Sequence, residues 1–338
     1  MIVNTYPIYH KDEYTNPLKG EFIPNITSYL HEDEEVRPVI LIVPGGGYRM
    51  VAIAESEIVA KKFYEKGYNT FVLSYTIAMF EDVQLHLQPL QDLSRAVTYI
   101  RKHAKEFKID SKRLILCGFS AGGHLCGSLT VHYKDPQICP QGEYEGISNR
   151  PDAVILSYPV ITTGMYAHKD SFKVLLGDNP VQEEKEYMSL EKHVMADTPP
   201  VFLWHTATDE TVPVENSYLF AEACKKADVS YELHIFRNGP HGYSLANEEW
   251  ASGEYGGDYV MNQWFAYMQY YIDNEIEIPA PFSEMKLPKG TDYREMYRNS
   301  PKDYLKGTAN PAVAVWPELA DAWLKGTFEE QDGETDGR

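Results

Sequence analysis

Short apolar runs alternate along this chain with stretches whose apolar positions recur every three or four residues, the periods of strand and helix. PVILIVPGGGY, residues 38 to 48, is a β-rich run that closes on three glycines. SEIVAKKFYEKGY, 56 to 68, has helical spacing and a stop at Gly67. NTFVLSYTI, 69 to 77, predicts another strand. QPLQDLSRAVTYIRKHA, 88 to 104, sets Leu90, Leu93, Val97 and Ile100 on one helical face, with Pro89 suited to the first turn. RLILCGFSAGG, 113 to 123, predicts a strand running straight into a helix. DAVILSYPV (152 to 160) and PPVFLWHTATDE (199 to 210) read as strands, and PVENSYLFAEACKKA (213 to 227) as a helix. SYELHIFRNGPHGYS, 230 to 244, holds a last strand and a loop. Strands separated by helices need crossovers, so the pattern predicts an α/β fold with a mostly parallel sheet covered on both faces. Residues 5 to 35 add antiparallel edge strands.

Two stretches break the alternation. Residues 161 to 198 predict an insertion placed to cap a site. Residues 276 to 338 form an extension rich in proline and tyrosine, set off from a body of residues 1 to 275. Its end, EEQDGETDGR, has a composition that cannot bury a core and predicts disorder. Within it, PAVAVWPELADAWLKG predicts a short helix docking on the body or on another subunit, which leaves a homo-oligomer open.

Composition narrows the partners. A net charge of −19 over 338 residues opposes nucleic acid and anionic membranes as partners, because both recruit positive surface. The 25 tyrosines suit clefts where a ring is buried and its hydroxyl is wet. The four cysteines form no CxxC pair and no zinc-spaced cluster, so they read as buried free thiols, and no metal or cofactor is expected. The first residues show no signal-peptide pattern and no apolar run is long enough to span a bilayer, so the expected location is the cytoplasm.

The chemistry gathers where strands end. Gly118-Phe119-Ser120-Ala121-Gly122 is G-x-S-x-G directly after a strand and before a helix rich in small residues. A sharp strand-to-helix turn needs glycines on both sides and leaves the serine hydroxyl exposed at its tip. A glycine-rich βα turn without chemistry is the plain alternative. Serine needs a base to take its proton, and His241, in the NGPHGYS loop after the last strand, is the best placed of the 11 histidines. His124 reads as structural or as pocket wall, and His205 lies within a strand. The base needs an orienting carboxylate. Asp209 comes first after its strand and is preferred over its neighbour Glu210. The glycines of PGGGY let backbone N–H groups approach a substrate oxygen, so Gly46 or Gly47, with Ala121, are the expected oxyanion donors. A phosphate cradle is the rival reading of the glycines, but no phosphate-loop pattern accompanies them. Tyr48 and Tyr158 are candidate substrate contacts. Asp92 and Arg95, on the helix before the serine, read as a salt bridge, and EDEE (32 to 35) as a solvated turn.

Together VPGGGY, GFSAGGHL, HTATDETVPVENS and FRNGPHGYSLA resemble the α/β-hydrolase superfamily, and within it bacterial carbohydrate esterases related to acetylxylan esterases. The resemblance covers about residues 20 to 272. It implies an α/β-hydrolase fold with an eight-stranded sheet, a Ser-His-Asp triad on Ser120, His241 and Asp209, and no metal. It also implies a small-molecule or oligosaccharide ester as substrate, with acetyl the expected acyl group. Lipase-like relatives usually carry His where this chain has Pro44, which favours the carbohydrate-esterase branch. Short-chain carboxylesterase or amide hydrolysis, and a non-catalytic scaffold on the same fold, stay open.

Overall fold

The apolar runs pair into one sheet. The computed structural model describes residues 1–80, 83–279 and 282–336. In chain order the strands are β1 (Thr5–Pro7), β2 (Asn25–Tyr29), β3 (Arg37–Val43), β4 (Asn69–Ser74), β5 (Ile109–Phe119), β6 (Ala153–Ser157), β7 (Val201–Thr206) and β8 (Tyr231–Phe236). They form an eight-stranded sheet ordered β1-β2-β4-β3-β5-β6-β7-β8. The β1/β2 and β2/β4 pairs are antiparallel, and every pair from β4 to β8 is parallel. This is the α/β-hydrolase fold that the sequence resemblance implies. Residues 39–43 are all buried, and successive strand side chains point to opposite faces. Both faces of the central strands are therefore covered, which is why these strands read as unbroken apolar runs.

The crossovers are α1 (Glu57–Tyr64) from β3 to β4, α2 (Gln88–Lys102) into β5, and α3 (Ala121–His132) from β5 to β6. Residues 161–198 leave the sheet between β6 and β7 and carry α4 (Lys169–Leu176) and α5 (Gln182–Tyr187). Then come α6 (Glu215–Lys226) between β7 and β8, α7 (Glu248–Ser252), α8 (Asn262–Asp273), α9 (Tyr293–Asn299) and α10 (Trp316–Asp336).

The extension packs on the body. Val313, Trp316, Ala320, Leu324 and Phe328 form one buried stripe at helical spacing. The Trp316 ring stacks on Trp204 of β7, 5.3 Å between centroids, and lies 5.9 Å from Phe119 at the end of β5. Helix α10 continues into the stretch 329–338, whose composition alone argued for disorder.

One sequence expectation is corrected here. Asp92 does not pair with Arg95. Its buried carboxylate accepts from the Thr76 N–H (2.8 Å), the Gln88 amide (2.8 Å) and the Tyr9 hydroxyl (3.0 Å). Arg95 reaches Glu13 (2.9 Å) and lies over the Tyr144 ring. Pairing inside the core would have buried a guanidinium for a carboxylate that already has its donors.

Candidate active site

Loops at the C-terminal ends of the parallel strands converge, the usual place for a site in an α/β sheet. The first is the β5–α3 turn. Ser120 sits at its tip with φ 52° and ψ −118°, a conformation that costs a non-glycine residue about 1–3 kcal/mol. Close backbone approach makes it possible. A Cβ on Gly122 would lie 2.1 Å from the Val43 carbonyl oxygen, and one on Gly118 would lie 2.4 Å from the Gly122 oxygen. Only glycine fits either place, so the G-x-S-x-G spacing follows from packing.

The second loop delivers the base. The His241 Nε2 lies 2.7 Å from the Ser120 Oγ, and its Nδ1 lies 2.7 Å from the Asp209 Oδ2. A carboxylate only accepts, so Nδ1 carries the proton and Nε2 is free to accept from the serine hydroxyl. The structure thus brings Ser120, His241 and Asp209 into one hydrogen-bonded line. Glu210, the rival carboxylate, is exposed.

Asp209 is heavily supported. Its Oδ1 accepts from the backbone N–H groups of Thr211 and Val212, both at 2.9 Å. Its Oδ2 also lies 3.3 Å from the Nε2 of His205. That nitrogen donates to the Val212 carbonyl at 3.0 Å, and the His205 Nδ1 accepts from the Ser217 hydroxyl. Burial pushes the Asp209 carboxyl up, but the bonds from His205, His241 and Val212 outweigh it and hold the group well below the usual carboxylate range. The sequence placed His205 within a strand and assigned it no role. Its position at the end of the strand that delivers Asp209 was the available signal.

The third loop is PGGGY. It lies against the serine turn, where a Cβ on Gly45 would meet the Ser120 Cβ at 2.9 Å. The Tyr75 hydroxyl donates to the Pro44 carbonyl at 2.8 Å, and the Gly46 carbonyl accepts from Arg49 and Met50. Among the described residues, the N–H groups of Gly46, Gly47 and Ala121 have no backbone acceptor.

The two candidate contact tyrosines lie elsewhere than expected. Tyr48 is buried, and its hydroxyl donates to the His124 Nδ1 at 2.8 Å. The His124 Nε2 donates to the Met188 carbonyl at 3.0 Å, so the ring is neutral, and burial pushes it down to about 4. Tyr158 is also buried. Its hydroxyl donates to the Glu55 Oε1 at 2.7 Å, and its ring meets the His241 ring edge-on at 5.0 Å. Both hydroxyls are taken internally because the rings lie beneath the loops. From the insertion, His168 hydrogen-bonds Ser171 at 2.8 Å, and a Cβ on Gly47 would come within 3.9 Å of the Ser171 Oγ. Among the described residues, no group of three or more His, Cys, Asp and Glu side chains converges to hold a metal ion.

The family profile for BD-FAE matches residues 27–224, more than half of the chain and all of its parallel strands but β8. The chain belongs to the BD-FAE family. A BD-FAE match ending at residue 224 includes Ser120 and Asp209 and leaves His241 outside it. The chain is 51% identical over 256 residues to endo-1,4-beta-xylanase B of Butyrivibrio fibrisolvens, covering 76% of this chain and 40% of that protein. It is 26% identical over 251 residues to an acetylxylan esterase of Xylanibacter ruminicola, covering 72% of this chain and 49% of that one. The chain thus spans half or less of the length of these curated relatives. Among solved structures, an acetyl ester-xyloside bifunctional hydrolase from Caldicellulosiruptor lactoaceticus superposes with a TM-score of 0.67 at 36% identity. That match covers 79% of this chain and 97% of the other.

Proposed function

We propose that this protein is a serine esterase that removes short acyl groups, acetyl above all, from carbohydrates such as xylo-oligosaccharides. The observation that carries the reading is the Ser120–His241–Asp209 line of 2.7 Å hydrogen bonds on a strained turn. The names of the xylanase, the acetylxylan esterase and the acetyl ester-xyloside hydrolase support the choice of substrate.

In this reading, the His241 Nε2 takes the Ser120 proton as the Oγ attacks the ester carbonyl carbon. The tetrahedral oxyanion accepts from the Ala121 N–H and from Gly46 or Gly47. Asp209 stabilises the imidazolium that forms. The imidazolium then gives its proton to the departing sugar oxygen as its bond to the acyl carbon breaks, which releases the sugar hydroxyl and leaves an acyl-serine. A water molecule loses a proton to Nε2 and attacks the acyl carbon. The carboxylic acid departs as the proton returns to the Ser120 Oγ. Tyr48 and Tyr158 lie beneath the loops of the site and support them from below. Residues 161–198 cap the hydrolase body of residues 1–275, and the extension from 276 braces it.

We place the reaction in the cytoplasm, acting on imported oligosaccharides. The free cysteines, three of them buried, fit a reducing compartment. Among the described residues no helix is long and apolar enough to cross a membrane. The test is hydrolysis of 4-nitrophenyl acetate, butyrate and octanoate, followed by acetylated xylo-oligosaccharides. Turnover should fall with chain length and vanish in Ser120→Ala. A preference for octanoate would move the protein to lipase-like chemistry, and no Ser120-dependent turnover of any ester would leave amide hydrolysis or a scaffold.

A further inference from the structure

A buried acid that the reaction does not use sits between the loops of the site. Glu55 lies in the turn just before α1 and is 4% exposed. Its Oε2 accepts from the Gly45 N–H at 2.7 Å, and its Oε1 accepts from the Tyr158 hydroxyl at 2.7 Å. Among the described residues it pairs with no lysine or arginine. A buried carboxylate without a cation is costly. Burial pushes its carboxyl up, against the bonds from Tyr158 and Gly45.

Each arm leads to one half of the site. The Gly45 arm fixes the start of the loop whose next two N–H groups are unused. The Tyr158 arm continues, because the same hydroxyl accepts from the Ser244 N–H at 3.0 Å, three residues past His241. Ser244 is held from the other side too. Its hydroxyl donates to the Ala54 carbonyl, next to Glu55, and its own carbonyl accepts from the Trp316 indole at 2.8 Å. Ser244 has φ 44° and Tyr158 φ 38°, strained conformations that persist only where the surroundings over-determine them.

We infer that Glu55 is a positioning residue that holds the Gly45–Gly47 loop and the His241 loop in register, one with each carboxylate oxygen. The role in turnover rests on the esterase reading; the coupling of the loops does not. A glutamine has one acceptor oxygen and one donor nitrogen. Glu55→Gln therefore keeps the Gly45 bond only by stranding the Tyr158 proton, or the reverse.

The experiment compares wild type, Glu55→Gln and Tyr158→Phe, each checked by thermal unfolding and by titration of its reactive serine with diethyl 4-nitrophenyl phosphate. The first readout is amide hydrogen exchange at Gly45 and Ser244. Glu55→Gln should raise exchange at Gly45 or at Ser244, whichever arm is lost, by about tenfold or more, while β3 and β5 keep their protection. Tyr158→Phe should raise it at Ser244 alone. The second readout is hydrolysis of 4-nitrophenyl acetate per titrated serine. Misplaced groups of this kind cost on the order of 10²-fold, so kcat should fall by about that factor in Glu55→Gln. KM should stay within about threefold, since a ground-state contact is not removed. Unchanged exchange at both amides in Glu55→Gln overturns the inference, whatever the substrate. So does a kcat within about twofold of an active wild type. A wild type that hydrolyses no ester, with the exchange pattern as expected, sinks the esterase reading and leaves Glu55 as the coupler.

Discussion

The turn that carries Ser120 and the loop that carries His241 meet at one hydrogen bond, yet they are built in opposite ways. The serine turn is fixed chiefly by close backbone packing. Gly118 leaves room for the Gly122 backbone and Gly122 for the Val43 and Pro44 carbonyls, while the Ser120 N–H donates to the Ser157 carbonyl at 3.0 Å and the Ser120 carbonyl accepts from the Val160 N–H at 3.2 Å. The histidine loop is fixed from far away. The Thr206 and Thr208 hydroxyls donate to the Gly239 carbonyl, at 2.8 and 3.1 Å. Tyr158 accepts from Ser244, Trp316 donates to it, and the Asn310 N–H donates to the Ala246 carbonyl at 2.8 Å. A site can thus pair a nucleophile held by sterics with a base held by distant polymer. The first should loosen less than the second when a remote side chain is trimmed.

Removing the chemistry itself sets the scale for breaking this comparison. Asp209→Asn leaves the shape of the His241 loop but favours the wrong imidazole tautomer, and kcat for 4-nitrophenyl acetate should drop by about 10⁴. Next comes the far support. Trp316→Ala empties a fully buried place between Trp204 and Phe119 and should cost about 3–5 kcal/mol in urea unfolding. The milder Trp316→Phe removes the bond to Ser244, worth about 1 kcal/mol, together with part of the indole's packing. There, amide exchange over residues 239–246 should rise while that of residues 118–124 stays put. Equal loosening of both segments would erase the contrast drawn between them. On the local side, Gly122→Ala forces a Cβ against the Val43 and Pro44 carbonyls and should destabilise by about 1–3 kcal/mol, with activity lost even in the folded fraction.

Acid sharpens the contrast. Folded His124, behind the serine turn, protonates only near about 4, against 6.5 when unfolded. The unfolded chain therefore binds more protons between those values, and stability must fall as pH drops through that window. The contribution is complete above about pH 6.5, and about 3 kcal/mol of it is lost by pH 4. Asp92, raised to about 6 by burial, works in the opposite direction below that pH, so a single curve would mix the two. The difference between wild type and His124→Gln isolates the histidine. That difference should shrink as pH falls from 6.5 to 4, and a constant difference would show that His124 does not titrate this way.

Much of this was legible in the sequence because it rests on local rules. The strand and helix periods gave the parallel sheet, since side-chain direction repeats every two residues in one and every 3.6 in the other. G-x-S-x-G gave Ser120, because a backbone that close to its neighbours excludes a Cβ. Position after a strand end gave Asp209 and His241. Glu55, His205 and Trp316 were not legible in the same way. Glu55 and Trp316 act across long separations, 103 residues to Tyr158 and 72 to Ser244, and no local spacing marks such a pair, whereas His205 lies only four residues before Asp209. The same holds for Tyr48 and Tyr158. Their place after strand ends pointed to the cleft, but whether the hydroxyls face substrate or core depends on which remote group is there to accept from them. The sequence by itself determined the layers and the reacting groups, because sterics and hydrophobic period act between near neighbours. Only the tertiary structure decided what holds those groups in place, because a hydrogen bond between distant segments exists only once the sheet has brought them together.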